Sequence, residues 1–255
     1  MFETLNALPE DPIFGLSTAY RADTNPLKID LGIGIYKDSA GNTPVMRSVS
    51  AAQTRYLSEE SSKAYMAATG SPAANAALQK LIFGEDCDHS RIRTVQTTGG
   101  TAACRVAAEL INRAKAGATV WVSTPTWGNH IPLMEDAGLQ TRAYPYYNES
   151  THSIDFDAML ETLSEAKAGD MVLLHGCCHN PCGADLNETQ WQAMADLAKD
   201  KGFTPFIDIA YQGFGRGLDE DAFGVRLMTS TLPEVIVASS CSKNFGLYRE
   251  RTGTL

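Results

Sequence analysis

The pattern that decides the fold lies in residues 95–123, VQTTGGTAACRVAAELINRAKAGATVWVS. A short β-rich run, Val95–Thr97, precedes a Gly-Gly-Thr turn and a helical stretch, Ala102–Lys115. A second apolar run, Thr119–Val122, then follows. A strand, a helix and a second strand at this spacing form a βαβ unit, in which the two strands are parallel.

The same alternation continues along the rest of the chain. Further apolar, β-rich runs lie at Leu139–Tyr147, Met171–His175, Pro205–Ile207 and Val235–Ser239. Helical stretches separate most of them, at His130–Ala137, Phe156–Lys167 and Glu188–Lys201. We therefore predict an α/β fold with a mostly parallel sheet that is covered by helices.

The region before residue 94 is less regular. Residues 1–43 lack sustained periodicity, with a short helix predicted at Pro12–Tyr20 and extended chain at Ile29–Tyr36. Val45–Leu57 is helical in composition. A further helix is predicted at Pro72–Phe83, because a serine N-cap precedes it and a glycine follows it.

The composition is that of an ordinary globular protein, with 44% of the 255 residues hydrophobic and 20% charged. A net charge of −9 repels nucleic acid and anionic membranes, so neither is an expected partner. Residues 116–134 form the longest uncharged stretch, and their prolines and glycines exclude a membrane-spanning helix. Because the first residues do not form a signal peptide, we expect a cytoplasmic protein with reduced cysteines.

Ligands of open α/β sheets bind beyond the carboxyl ends of the strands. No G-x-G-x-x-G or G-x-x-x-x-G-K-[ST] signature is present, which points away from the usual nucleotide sites. Other polar or aromatic residues follow the predicted strands: Gly100, Thr101, Trp127, Asn180, Asp208, Tyr211, Ser240 and Lys243. Each alone has an ordinary structural explanation, but together they comprise a phosphate cradle, a stacking ring, an acid, a phenol and an amine.

This set matches one cofactor, pyridoxal 5′-phosphate. The amine of Lys243 can form a Schiff base with the cofactor's aldehyde, and a helix that begins near Gly100 and Thr101 can bind its phosphate. Asp208 can keep the pyridine nitrogen protonated, which lets the ring accept electrons from a substrate carbanion. The hypothesis depends above all on Lys243.

The segment around this lysine, SSCSKNFGLY at residues 239–248, strongly resembles fold type I, class I aminotransferases of the aspartate/aromatic group. Further matches follow in the family's order: LGIGIYKD at 31–38, VWVS at 120–123, CCHNP at 177–181 and DIAYQGF at 208–214. The resemblance covers the whole chain. It implies the large domain of a pyridoxal-phosphate transferase. The implied reaction is ping-pong transamination between aspartate, glutamate or an aromatic amino acid and a 2-oxo acid.

The resemblance also implies roles for individual residues. Lys243 would be the Schiff-base lysine and proton shuttle, and Asp208 would pair with the pyridine nitrogen, with His130 behind it. The implied catalytic residues are Lys243, Asp208 and Tyr211. The implied cofactor-binding residues are Lys243, Gly100, Thr101, Trp127, Asn180, Asp208, Tyr211, Ser240, Arg251 and Tyr65. Gly34, Trp127 and Asn180 would line the site of the substrate's α-carboxylate.

Tyr65 matches a tyrosine that reaches the phosphate of the neighbouring subunit's cofactor, which implies a homodimer with shared active sites. Two small departures from the family pattern leave the chemistry untouched. Cys182 stands where threonine is usual after Asn-Pro, and Ala102 stands where glycine is usual after Gly-Gly-Thr.

The third departure is length, because family members continue well beyond position 255. The resemblance therefore implies a C-terminally truncated chain without the C-terminal small domain. Residues 1–43 would form an N-terminal arm and small-domain segment, and residues 44–255 an incomplete large domain. Since the family's later residues include the arginines that bind substrate carboxylates, we expect this chain to bind cofactor but to transaminate poorly.

Two alternatives stay open. One keeps the cofactor but changes the reaction, for instance to a decarboxylase or a lyase. The other is a truncated, non-catalytic product whose role is cofactor binding or assembly.

The remaining candidate residues are interpreted as structural rather than functional. No metal is expected, since a single tight turn does not arrange four ligands tetrahedrally around zinc. That turn carries Cys177, Cys178, His179 and Cys182. Three further histidines are interpreted as surface or packing residues: His89, His152 and His175. Asp219–Asp221 is interpreted as a solvated start of a helix.

Overall fold

The computed structural model describes Glu3, residues 12–30, Gly32 and residues 34–255. The chain divides into two compact units, Met1–Val45 and Met46–Leu255. The assignment of residues 1–43 to an arm and a small-domain segment, and of 44–255 to a large domain, stays a prediction.

The described part of the first unit contains one helix, α1 (Pro12–Ala22), where the sequence predicts a short helix. The predicted extended segment, Ile29–Tyr36, forms no strand at its described positions. Leu31 and Ile33 of that segment lie outside the described residues.

The second unit is an α/β structure. Its strands are β1 (Gln96–Thr98), β2 (Thr119–Thr124), β3 (Gln140–Pro145), β4 (Tyr147–Asn148), β5 (Ser153–Ile154), β6 (Met171–His175), β7 (Thr204–Ile209), β8 (Ile236–Ser240) and β9 (Thr252–Thr254). Its helices are α2 (Arg47–Glu59), α3 (Pro72–Phe83), α4 (Gly99–Ala114), α5 (His130–Glu135), α6 (Phe156–Leu163), α7 (Glu188–Lys201) and α8 (Phe223–Thr231).

Seven of the strands form one sheet in the order β1-β9-β8-β7-β6-β2-β3. Strands β3, β2, β6, β7 and β8 run parallel to their neighbours in this series, and β9 is antiparallel to both β1 and β8. The prediction of a mostly parallel sheet is therefore confirmed. Strands β4 and β5 form a separate antiparallel pair.

Two apolar clusters cover the two faces of the sheet. In β2, Val120 and Val122 pack with α4 on one face, whereas Trp121 packs with α6 and α7 on the other. The parallel strands are buried on both faces, which explains why they read as continuous apolar runs rather than alternating ones. Among the described residues, no helix is long and apolar enough to cross a bilayer.

Local signals fix several helix ends. Ser71 accepts a hydrogen bond from the main-chain N–H of Ala74 at the start of α3. At the start of α7, the Asn187 and Gln190 side chains each accept a hydrogen bond from the other's main-chain N–H, both at 2.9 Å. This capping box satisfies amides that have no partner within the helix. The predicted bounds of α3 and α7 are confirmed.

Two strands and one buried carboxylate differ from what the sequence predicts. Strands β5 and β9 are not predicted, because both are very short and β9 is a Thr-Gly-Thr segment without an apolar run. The helix start expected at Asp219–Asp221 lies just before α8, which begins at Phe223. The interpretation of Asp219–Asp221 as a solvated helix start is wrong for Asp221, which is 5% exposed. Its carboxylate accepts main-chain hydrogen bonds from Gly213, Gly215 and Arg216, so it holds a loop together.

Candidate active site

A cleft opens at the carboxyl edge of the sheet, where β6, β7 and β8 end. We call it the carboxyl-edge cleft. It is lined by Gly100, Thr101, Trp127, His175, Asn180, Asp208, Ala210, Tyr211, Ser240, Ser242, Lys243 and Arg251. Every residue that the sequence predicts to bind the cofactor is in this set except Tyr65.

The first turn of α4 forms one end of the cleft. Thr98 precedes the helix without capping it through its side chain, so the first N–H groups of α4 stay available to a ligand. Gly99 has a φ of +82°, and a Cβ added there would lie 2.7 Å from Nη2 of Arg251. A Cβ at Gly100 would lie 3.0 Å from the Cβ of Ser240. Glycine thus lets the helix N-terminus, a hydroxyl and a guanidinium converge, which is an arrangement suited to an anion.

Lys243 lies in the turn after β8 and is partly buried. Its Nζ is 4.9 Å from the centroid of the Tyr211 ring. Burial lowers the pKa of the Lys243 ammonium; the charge of Asp208 opposes this effect, and that of Arg251 adds to it. A lysine with a lowered pKa has a larger fraction of neutral amine and is a better nucleophile.

Asp208 lies near the end of β7, and its side chain is 12% exposed. Its Oδ2 is 2.9 Å from Nε2 of His130, which is fully buried at the start of α5. Burial, with a contribution from Asp208, raises the pKa of the neighbouring Tyr211 phenol. The ring edge of Trp127 packs against His130 with centroids 5.1 Å apart.

A chain of hydrogen bonds continues from His130 into the protein. The Thr126 hydroxyl lies 2.8 Å from Nδ1 of His130 and 3.2 Å from Nε2 of His175. The main-chain N–H of Asn180 donates to Nδ1 of His175 at 3.3 Å. Burial lowers the pKa of His175 well below its usual value, with further contributions from His179 and His130.

These contacts assign the tautomers of both histidines. Because Nδ1 of His175 accepts from Asn180, its Nε2 carries the proton and donates to the Thr126 hydroxyl. The Thr126 hydroxyl then donates to Nδ1 of His130, which leaves the Nε2 proton of His130 to donate to Asp208. This series of hydrogen bonds therefore fixes His130 as the donor of the hydrogen bond that Asp208 accepts.

Neither His175 nor Thr126 is predicted from the sequence to belong to this site. From the sequence, His175 is interpreted as a surface or packing residue. The structure places it in the wall of the cleft and in the series of hydrogen bonds that leads to His130. The position of His175 as the last residue of β6 is the signal that could have found it, since the other site residues also follow strand ends.

Two predicted residues lie elsewhere. Tyr65 is fully exposed in the second unit and does not line the cleft of its own chain. Gly34 belongs to the first unit. The roles of both residues stay predictions.

The cysteine-rich turn after β6 serves structure. The Cys182 thiol lies 3.1 Å from Nδ1 of His179, and Nε2 of His179 lies 3.0 Å from the Ser123 hydroxyl. Asp185 accepts the main-chain N–H groups of Cys178 and His179 at 2.7 and 2.8 Å. Cys104, His130 and Asp208 bring potential ligand atoms within 4.8 Å of one another, but the Asp208 carboxylate there already accepts from His130.

The sheet topology and this site define the large-domain architecture of fold type I aminotransferases. The family described as "Aminotransferase class I and II" matches residues 26–255. The chain belongs to this family.

Individual curated relatives show which members of this family the chain is similar to. The chain is 50% identical over 256 residues to an aspartate aminotransferase of Escherichia coli (strain K12), covering 99% of this chain and 65% of the relative. It is 48% identical to an aromatic-amino-acid aminotransferase of Paracoccus denitrificans, covering 100% and 65%. The chain thus spans about 65% of the length of the curated relatives that it matches.

Solved structures agree with this likeness. An aromatic amino acid aminotransferase with 3-indolebutyric acid superposes with a TM-score of 0.97 at 48% identity, covering 100% of this chain and 64% of the other. An aromatic-amino-acid aminotransferase from Burkholderia pseudomallei, covalently bound to pyridoxal phosphate, superposes with a TM-score of 0.96 at 40% identity, covering the same shares.

Proposed function

We propose that this chain carries the cofactor site of a pyridoxal-phosphate-dependent aminotransferase. The proposed reaction moves an amino group from aspartate, glutamate or an aromatic amino acid to a 2-oxo acid. The names of the curated relatives support this reaction, and the Burkholderia pseudomallei structure, covalently bound to pyridoxal phosphate, supports the cofactor.

The residues of the carboxyl-edge cleft fit this cofactor. An anion cradle at Gly99, Gly100, Ser240 and Arg251, in which a Cβ on either glycine would be crowded, suits the phosphate. The single observation that carries the proposal is that this cradle shares one cleft with the mostly buried acid Asp208 and the partly buried amine Lys243. Trp127 and Tyr211 supply the aromatic surface and the phenol expected around a pyridine ring.

When bound, pyridoxal phosphate supplies an electron sink for charge that develops at the substrate's α-carbon. Asp208 supports this chemistry because its carboxylate, held by His130, favours a protonated ring nitrogen. The amine of Lys243, whose pKa burial lowers, would take the proton from the substrate's α-carbon and would deliver it to the aldehyde-derived carbon of the cofactor, on the other side of the linking nitrogen. Asn180 and Tyr211 would bind the ring oxygen and orient the ring.

The rest of the proposed site depends on the residue matches alone. Gly34, Trp127 and Asn180 would line the substrate's α-carboxylate. Tyr65, which is fully exposed in this chain, would reach the phosphate held by a second subunit of a homodimer. A cytoplasmic location stays an expectation from the sequence.

Trapping the cofactor tests the proposal. The chain is incubated with pyridoxal phosphate and reduced with borohydride, and the labelled peptide is mapped by mass spectrometry. We expect one covalent label, on Lys243, that the Lys243→Ala variant loses completely. The matched control, Lys199→Ala, removes an exposed lysine of α7 and should keep the label.

A label distributed over several exposed lysines, or an unchanged label in Lys243→Ala, would refute the assignment. Product analysis with aspartate as amino donor then distinguishes reaction types. Oxaloacetate supports transamination, whereas alanine or fumarate would show a decarboxylase or a lyase.

A further inference from the structure

Three potential metal ligands of different chemistry converge in the wall of the carboxyl-edge cleft. The Cys104 thiol, a ring nitrogen of His130 and a carboxylate oxygen of Asp208 lie within 4.8 Å of one another. Cys104 and His130 are fully buried, whereas Asp208 lines the cleft. We call these three residues the Cys-His-Asp cluster. None of them belongs to the cysteine-rich turn after β6.

The fold brings the three residues together on one face of the sheet. Phe206 of β7 packs in the same apolar cluster as Cys104. Because side chains alternate along a strand, Asp208, two residues later, points to the same face. Cys104 lies in the second turn of α4, directly after the turn that forms the anion cradle, and His130 begins α5. Two helices and a strand therefore direct these side chains towards one another.

The three ligand types are those that zinc selects. Protein zinc sites use thiolate sulfur, imidazole nitrogen and carboxylate oxygen, and three protein ligands with water in the fourth position are typical of sites open to solvent. Around tetrahedral zinc such atoms lie roughly 3.3–3.5 Å apart, so small rotations of the three side chains would complete the coordination. Water can reach the fourth position through the cleft, which Asp208 lines. Magnesium and calcium are disfavoured because they take oxygen ligands.

The hydrogen bond between His130 and Asp208 does not exclude a cation. Nε2 of His130 lies 2.9 Å from Oδ2 of Asp208, and a metal ion would take the place of the proton between them. The His130 proton then moves to Nδ1 and is donated to the Thr126 hydroxyl, which lies 2.8 Å away and can accept a second hydrogen bond. Histidines that bind metals are ordinarily oriented in this way, by an acceptor at the other ring nitrogen.

The charges also balance at this position. Binding releases the thiol proton of Cys104 to solvent, so one thiolate and one carboxylate neutralise the two positive charges of the ion. The filled site then has no net charge, which is important because an unpaired charge is costly in a buried position. Lys243 and Arg251, the cationic residues of the cleft, therefore do not destabilise the complex once it has formed.

We propose that the Cys-His-Asp cluster binds one zinc ion, or a similar divalent cation such as cobalt, when the cofactor is not bound. The ion takes the Asp208 carboxylate that would pair with the cofactor's ring nitrogen, so the metal and the cofactor exclude each other. This exclusion rests on the proposed function, whereas metal binding itself does not. The loading of this chain with pyridoxal phosphate thus depends on the concentration of free zinc.

Cobalt spectroscopy tests the metal site on the cofactor-free chain. Tetrahedral Co²⁺ absorbs visible light, and a bond from a thiolate to cobalt adds a charge-transfer band, so both signals report the ligands directly. We expect both signals to saturate at one Co²⁺ per chain. Zn²⁺ should abolish them because it binds such sites more tightly than Co²⁺, and Mg²⁺ should leave them unchanged.

Cys104 is the residue to substitute because it does not line the cleft, so the contacts proposed for the cofactor stay in place. Cys104→Ser replaces the thiol with a poor zinc ligand of similar size, and Cys104→Ala removes the ligand altogether. Each should abolish the charge-transfer band and weaken Zn²⁺ binding by about 100-fold or more. The matched control, Cys177→Ala, removes a buried thiol from the opposite face of the sheet and should change neither.

Titration with pyridoxal phosphate tests the exclusion. As Zn²⁺ is added, the apparent dissociation constant of the cofactor should rise in proportion to the zinc concentration for the native chain and stay constant for Cys104→Ser. Without zinc, Cys104→Ser should bind the cofactor as the native chain does, which also shows that this variant is folded.

Three results would overturn the proposal: the cobalt signals never appear; they persist in both Cys104 variants; or they are lost equally in Cys177→Ala. Zinc that binds without changing the affinity for the cofactor would contradict the exclusion. If the cobalt signals behave as expected but Lys243 takes no covalent label, the proposed function fails and the metal site stands, so the two failures are distinguishable.

Discussion

At the carboxyl edge of the sheet, the central strands lead into polar side chains such as Asp208 and Lys243, whereas at the amino edge they begin with apolar residues such as Met171 and Ile236. The carboxyl-edge cleft therefore has a charged acid, an amine and an anion cradle within one wall. A second cavity, the amino-edge cavity, lies where β6, β7 and β8 begin; its volume is about 700 Å³ and its walls are mostly apolar. The two ends of the same strands thus differ in polarity.

The difference follows from the direction of the chain. In a parallel sheet each helix begins near the carboxyl edge, where its unpaired N–H groups attract anions, and ends near the amino edge. Small charged ligands are favoured at the first edge. At the second edge the strands begin with residues that pack into the core, so the side chains there are mostly apolar.

The largest difference should appear between the centre of the sheet and its amino edge, in the free energy of unfolding. Leu173 is fully buried in the centre of β6, so Leu173→Ala should lower the free energy of unfolding by about 4 kcal/mol. Leu110→Ala, in the wall of the amino-edge cavity, should lower it by less than about 0.5 kcal/mol because Leu110 is half exposed. Urea denaturation of both variants measures this. Equal losses would contradict the difference in burial between these two positions.

The second-largest difference between the two edges should appear in the affinity for the cofactor. Asp208→Asn should weaken pyridoxal phosphate binding about 100-fold, or about 3 kcal/mol, because a buried charge partner is lost. Asp170→Asn is the matched control, since Asp170 is 3% exposed at the amino edge and accepts from Nε1 of Trp121 at 3.2 Å. It should lower stability by about 1 kcal/mol and leave affinity unchanged.

Spectrophotometric titration of both variants provides the measurement. If Asp208→Asn bound the cofactor as tightly as the native chain, the carboxylate would have no role in holding the ring.

A smaller effect should appear on acidification. Burial lowers the pKa of His179 to about 4, below its value of 6.5 in the unfolded chain. The unfolded state therefore binds the extra proton first as the pH falls through 6.5, and stability is lost until the folded-state pKa is reached. Between pH 7 and pH 5 this amounts to about 2 kcal/mol, and the buried His175 acts in the same direction.

His179→Gln should reduce this loss while keeping the folded state at pH 7, as measured by urea denaturation at both values. An unchanged pH dependence in this variant would show that His179 is accessible to solvent.

Most of the secondary structure could be predicted from the sequence because local signals specify it. Ser71, Pro72 and Gly84 mark the two ends of α3, and Asn187 with Gln190 marks the start of α7. Strand β9 could not be predicted in this way. Its Thr-Gly-Thr segment has no strand pattern of its own, and it becomes a strand only because β1 and β8 lie on either side of it.

In the candidate site, too, some residues could be predicted from the sequence and others could not. Most of the residues now lining the cleft could be named from their positions after strands and from the family resemblance. His175 could not, because its connection to His130 depends on Thr126, which lies 49 residues away in the sequence.

By itself the sequence determined the class of fold and the chemistry of the site. Apolar runs, helix caps and the identity of residues such as Lys243 and Asp208 are local properties that a linear pattern contains. Only the tertiary structure decided the tautomers of His130 and His175 and the burial that lowers the pKa of Lys243. These properties depend on contacts between distant segments, and such contacts exist only once the chain has folded.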